Sequence, residues 1–136
     1  MRVGDNAFWQ LSGSGDNALS SLSFPTGLAS LELGHQAFAQ SASGNTALAA
    51  ARFPSALTSL VIGDQAFYQY TLSGSTSLAS VRFPGGLDQL AIGTEAFRQT
   101  GQGALARIIL DQTAPRTDSP TMAVGTNAFA SSTNPI

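Results

Sequence analysis

Five near-copies of one hexapeptide constrain this chain more than any other feature. They read "VGDNAF" from Val3, "LGHQAF" from Leu33, "IGDQAF" from Ile62, "IGTEAF" from Ile92 and "VGTNAF" from Val124. Their glycines, Gly4, Gly34, Gly63, Gly93 and Gly125, are separated by 30, 29, 30 and 32 residues. A second block keeps step: "LSSLSFP" from Leu19, "LAAARFP" from Leu48, "LASVRFP" from Leu78 and a degenerate "LARIILD" from Leu105. A third closes each unit, with "LASLELG" from Leu28, "LTSLVIG" from Leu57 and "LDQLAIG" from Leu87. Self-similarity at one fixed period marks a solenoid, in which each unit packs mainly on its two neighbours. A catalytic motif has no reason to recur five times in 136 residues. The hexapeptide is therefore either architecture or a repeated binding site.

Each unit reads L-x-x-[LV]-x-F-P, two residues, L-x-x-L-x-[IL]-G-x-x-A-F-x-Q, then a small polar loop. Alternation in the first part sends Leu22 and Phe24, or Val81 and Phe83, inward from a short strand, and Ser23, Arg52 and Arg82 outward. Pro25, Pro54 and Pro84 cannot donate to a ladder, so they end that strand. The spacing predicts strands near 21–24, 50–53, 80–83 and 107–110 in one parallel sheet, and a second row ending at Gly34, Gly63 and Gly93. Those glycines are expected to take the positive φ of a sharp corner. In each A-F pair the alanine permits close approach of coils, while Phe8, Phe38, Phe67, Phe97 and Phe129 fill the middle. Loops such as "SGDNAL" and "SGNTAL" supply turn-forming residues. The chain reads as a single domain over 1–136, with units restarting near 19, 48, 78 and 105.

Composition narrows the partners. Charged residues are 10% of the chain, with six arginines, no lysine and eight carboxylates, for a net charge of −2. No basic field for nucleic acid results. The absence of cysteine excludes disulfides, thiolate metal sites and a cysteine nucleophile. No apolar run approaches the ~20 residues of a membrane-spanning helix, and "MRVGDNAFWQ" lacks a signal peptide's apolar stretch.

The combination L-x-x-V-x-F-P followed by L-x-x-I-G-x-x-A-F resembles the BspA-like leucine-rich repeat of bacterial and some parasite surface proteins. The resemblance implies a leucine-rich-repeat-like solenoid of about four and a half coils of 29–30 residues, with short stacked parallel strands joined by irregular or short helical turns. At ~4.8 Å per coil the stack is only ~20 to 25 Å long. It further implies an extracellular or cell-surface location and extended faces that bind protein or glycan. The family's cysteine, three residues after the phenylalanine, is replaced here by Leu11, Ser41, Tyr70 and Thr100. The closing "TAPRTDSPTMAVGTNAFASSTNPI" is similar to the last repeat of such arrays. Because the chain starts within a unit and carries no polar capping segment, it reads as a piece of a longer array whose ends favour end-to-end self-association.

Columns of equivalent residues are the candidate sites. Asp5, His35, Asp64, Thr94 and Thr126 all follow the repeated glycine, and a carboxylate, imidazole, carboxylate row has the groups to bind a metal. The competing reading is a set of water-facing turn residues, since no nucleophile or third ligand shares the column. Gln10, Gln40, Gln69 and Gln99 follow the core phenylalanines by two and suit a coil-to-coil amide ladder, with ligand recognition as the alternative. The candidate binding face is the outward side of the first strand row: Ser23, Arg52, Arg82 and Ile109, with Ser80 and Arg107 beside them. Its arginines suit a carboxylate or phosphate, against the reading that they are simply solvated. The outward column Glu32, Val61, Ala91 and Ala123 is unusually apolar, and Trp9, Tyr68 and Tyr70 have rings suited to sugars.

No residue set calls for a cofactor or for catalysis. Two functional classes remain: a non-enzymatic binding or adhesion module of a cell-surface protein, and a structural spacer that displays other domains.

Overall fold

The structure is a computed structural model, and it describes residues 1–103, 105, 107–111 and 120–132. Its strands are β1 (Arg2–Val3), β2 (Gln10–Ser12), β3 (Ser30–Leu33), β4 (Gln40–Ala42), β5 (Ala50–Arg52), β6 (Ser59–Ile62), β7 (Gln69–Ser75), β8 (Ser80–Phe83), β9 (Gln89–Ile92), β10 (Gln99–Gln102), β11 (Arg107–Leu110), β12 (Thr121–Val124) and β13 (Ser131–Ser132). They stack as three parallel sheets, ordered β1-β3-β6-β9-β12, β13-β10-β7-β4-β2 and β11-β8-β5. Every strand pair among the described residues is parallel, so consecutive units are joined by coiling. The molecule is a parallel β-solenoid of about four turns, and no helix occurs among the described residues. Register follows the repeat: Leu31, Leu60 and Leu90 pair across β3, β6 and β9, as do Leu33, Ile62 and Ile92.

Two rows of phenylalanine fill the interior. In the first, Phe8, Phe38, Phe67, Phe97 and Phe129 stack nearly parallel, with ring centroids 5.0 to 5.4 Å apart. In the second, Phe24, Phe53 and Phe83 stack at 5.9 and 5.5 Å. The rows meet edge to face, each contact at 6.1 Å, an arrangement that suits the ring quadrupoles. Ala37, Ala66 and Ala96 are fully buried beside them.

The repeated glycine is required for space. None of the five lies at positive φ; the residue two places later does, at Asn6, Gln36, Gln65, Glu95 and Asn127, with φ from 52 to 56°. This corrects the expectation that the glycine turns the corner. The turn runs from the glycine carbonyl to the alanine N–H, as from Gly63 to Ala66 at 3.3 Å, so its third residue carries the left-handed conformation. The glycine instead allows backbones to touch. A β-carbon on Gly63 would lie 2.7 Å from the Gly34 carbonyl carbon, and one on Gly125 2.6 Å from that of Gly93.

Two more differences concern the strands. The sheet foreseen at 50–53, 80–83 and 107–110 is present as β5, β8 and β11, whereas residues 21–24 form no strand. Phe24 keeps its place in the core, but Ser21 and Ser23 are poor strand formers and the segment has a neighbouring coil on one side only. A whole sheet that the repeat pattern did not announce, β2 with β4, β7, β10 and β13, begins at the glutamine column. Its inward positions are Gln40, Gln69, Ala42 and Thr71, too polar to read as a buried strand. Among the described residues the connections are turns and irregular segments, with no helix. The proline-containing stretch at 112–119 and the terminal residues 133–136 lie outside the described residues.

Candidate functional site

The outward face of the β5-β8-β11 sheet gathers most of the candidate binding residues. Arg52 and Arg82 are direct partners across β5 and β8, and Ile109 of β11 continues the column. Ala50, Ser80 and Arg107 form the parallel column two residues earlier. Arg52, Arg82 and Arg107 are exposed, and Ser80 and Ile109 are half-buried. Ser23 is exposed too, but it precedes the sheet and is not brought into its ladder.

Charge on this face is partly compensated. The Arg82 Nε donates to Asp111 Oδ2 at 2.6 Å, and that hydrogen bond, followed by the attraction of the carboxylate, raises the guanidinium above its ordinary value. Asp111 stands where the earlier units have proline; its N–H, which proline lacks, donates to the Phe83 carbonyl at 2.9 Å. Side-by-side arginines repel, so Asp111 settles one of them. Among the described residues neither Arg52 nor Arg107 has an ion-pair partner. The face therefore offers two uncompensated guanidiniums and one shared one, to carboxylate or phosphate groups in extended array.

The glutamine column belongs to the architecture. Gln40 and Gln69 are fully buried, and Gln69 Nε2 donates to Gln40 Oε1 at 3.2 Å, as Gln40 Nε2 does to Gln10 Oε1 at 3.1 Å. The same amides hold the backbone of the unit-starting leucines. Gln69 Oε1 accepts from the Leu78 N–H at 2.9 Å, and its Nε2 donates to the Leu48 carbonyl at 2.8 Å. Gln40 does likewise with Leu48 and Leu19, at 3.0 and 2.8 Å. These leucines lie outside any strand, so the glutamines replace the missing ladder with side-chain bonds. A second amide ladder, unforeseen in the sequence, runs along the positive-φ positions: Gln36 Nε2 to Gln65 Oε1 and Gln65 Nε2 to Glu95 Oε2, both 2.8 Å. Its only sequence signal was Asn, Gln, Gln and Glu at one place in successive units.

The Asp5, His35, Asp64 column resolves into turn bonds. Asp5 Oδ1 accepts the His35 N–H at 2.8 Å, and Asp64 Oδ1 accepts the Thr94 N–H at 2.7 Å, each from the following coil. Asp5, His35 and Asp64 side chains are exposed, and no group of three potential metal ligands occurs among the described residues. Trp9, Tyr68 and Tyr70 make no shared platform: the buried Ala39 separates Trp9 from Tyr68, and Tyr70 lies in another column. In the outward column of the first sheet, exposed Glu32 pairs with Arg2 at 3.4 Å, and Val61 and Ala91 are half-buried. No helix among the described residues is long and apolar enough to cross a membrane. No protein-family model, curated protein or solved structure matches the chain, so the site stands on its own geometry.

Proposed function

We propose that the chain is a non-enzymatic binding module of the adhesion type, acting at a cell surface through the outward face of the β5-β8-β11 sheet. The observation that carries this reading is the placement of Arg52 beside Arg82 on adjacent strands, with Arg107 one pleat away and, among the described residues, only Arg82 of the three neutralised. Keeping like charges in direct register costs stability, and a partner bearing carboxylate or sulfate groups offsets that cost. The sequence resemblance to BspA-like surface repeats points to the same class and supplies the cell-surface setting. No cofactor and no nucleic acid enter this reading; the partner is an acidic protein segment or an anionic glycan.

A structural spacer is the second reading, favoured by the fact that the glutamine, glycine and phenylalanine columns are all used between coils. A glycan and matrix-protein array separates the two. Wild-type protein should bind anionic spots, and an Arg52→Ala, Arg82→Ala double variant should lose that signal at least tenfold while keeping its circular dichroism. Binding that is absent, or unchanged in the double variant, leaves the spacer.

A further inference from the structure

Arg52 and Arg82 occupy equivalent places on adjacent strands, yet among the described residues only Arg82 meets a carboxylate. The difference comes from the coil that follows each. Arg82 reaches the position just after β11, which is Asp111; the corresponding position after β8 is Pro84, whose ring offers Arg52 no acceptor. The fold uses only the main chain of Asp111, whose N–H donates to the Phe83 carbonyl at 2.9 Å. Its carboxylate is left for Arg82 Nε, at 2.6 Å, in a pair whose side chains stay 51% and 31% exposed.

That contact occupies the binding face from within. A guanidinium presents its donors as a fork to a carboxylate or similar anion, and Asp111 already holds the Nε edge of the Arg82 fork. Because Asp111 is tethered, it competes at a high effective concentration, and a lone carboxylate from outside would only exchange one like bond for another. An exposed ion pair is nevertheless weak. A ligand that grips Arg52 at the same moment, about 4.8 Å away on the neighbouring strand, gains a second contact that Asp111 does not make.

We propose that Asp111 is an autoinhibitory residue of the arginine face: it holds Arg82 until a ligand with closely spaced anionic groups engages Arg52 and Arg82 together, and it turns away single carboxylates. The inference rests on the binding reading given above and adds the residue that sets the threshold for binding.

Calorimetric titration with a heparin hexasaccharide tests it through Asp111→Asn, which removes the charge and keeps the main-chain bond to Phe83. The variant should bind about threefold more tightly than wild type, the order of what an exposed ion pair contributes. Losing any carboxylate also lessens general repulsion, so two controls isolate the contact. In an Arg82→Ala background Asp111→Asn should bring no gain, and Glu32→Gln, which removes the same charge from an ion pair on another sheet, should bring none either. By nuclear magnetic resonance, heparin should move the Arg82 Nε–H signal of wild type to its place in Asp111→Asn, and acetate should leave it unmoved. Binding that is lost in the Arg52→Ala, Arg82→Ala double variant but not raised by Asp111→Asn keeps the arginine reading and overturns this inference. A gain that persists without Arg82, a Nε–H signal that heparin leaves in place, or one that acetate moves overturns it as well. If neither wild type nor Asp111→Asn binds heparin, both readings fall.

Discussion

Gln69 shows at the residue scale why a polar side chain is kept in the interior. It is 1% exposed, and its amide makes four hydrogen bonds, two of them to the Leu48 carbonyl and the Leu78 N–H. A leucine of similar volume would leave both backbone groups buried without partners, at about 1 to 3 kcal/mol each. Gln69→Leu is therefore expected to lower unfolding free energy by about 3 kcal/mol, although it adds apolar surface to the core. Gln10→Leu, at the half-buried end of the ladder, should cost about 1 kcal/mol. Urea denaturation of the two variants checks the ranking, and equal losses would show that the ladder does not hold the leucine backbone.

At the element scale, the turn after each glycine combines conformational strain with compensating bonds. Gln65 and Glu95 sit at φ 55°, a region that disfavours long side chains. Their N–H groups donate to the next coil at 2.9 and 3.0 Å, and their side chains join in the second ladder. Glu95 is the charged end of that ladder. The Gln65 amide, and then Arg98 Nη1, hydrogen-bond its carboxylate and hold its pKa below the ordinary value. A carboxyl lowered on folding contributes stability that is complete above its unfolded value of about 4.3 and is lost as pH falls through the folded value. Glu95→Gln should accordingly melt below wild type at neutral pH, with the gap closing under acid. Melting curves at pH 7 and pH 3 decide this: a gap of constant size would mean that the charge on Glu95 contributes nothing to the turn.

Across the whole molecule, stability is distributed as a chain of nearest-neighbour interfaces, strongest where a coil has two neighbours. Phe67 is stacked on both faces, 5.4 Å from Phe38 and 5.0 Å from Phe97, and is fully buried. Phe67→Ala should cost about 3 to 5 kcal/mol, the range for emptying a large aromatic site in a packed core. Phe8, half-exposed with one stacking neighbour, should cost nearer 1 kcal/mol on the same change. The same gradient predicts faster amide exchange in β2 than in β7 for the isolated monomer. Matching protection in the two strands, or a Phe67→Ala loss below about 1 kcal/mol, would contradict a stack whose stability builds from the middle.

The repeat period and the columns of leucine, phenylalanine and alanine were sufficient to specify a parallel solenoid, because a period near 30 residues with inward apolar alternation leaves each unit no partner but its neighbours. The candidate arginine face was readable for the same reason, since equivalent residues of stacked strands must adjoin. What the sequence could not decide was which group answers which across the gap between coils. Glycine and the residue two places after it are both turn-compatible, and only the stacked coils, which would leave a β-carbon on Gly63 2.7 Å from the Gly34 carbonyl carbon, assign space to one and positive φ to the other. Likewise, glutamine reads as a surface residue until the fold closes around it. Its partners, the Leu48 carbonyl and the Leu78 N–H, lie 21 and 9 residues away and come within reach only when the coil returns on itself. The polar sheet of β2, β4, β7, β10 and β13, and the loss of strand at 21–24, follow from that same dependence. A polar or serine-rich segment has no strand signal of its own, so hydrogen bonds to an adjacent coil determine whether it becomes one.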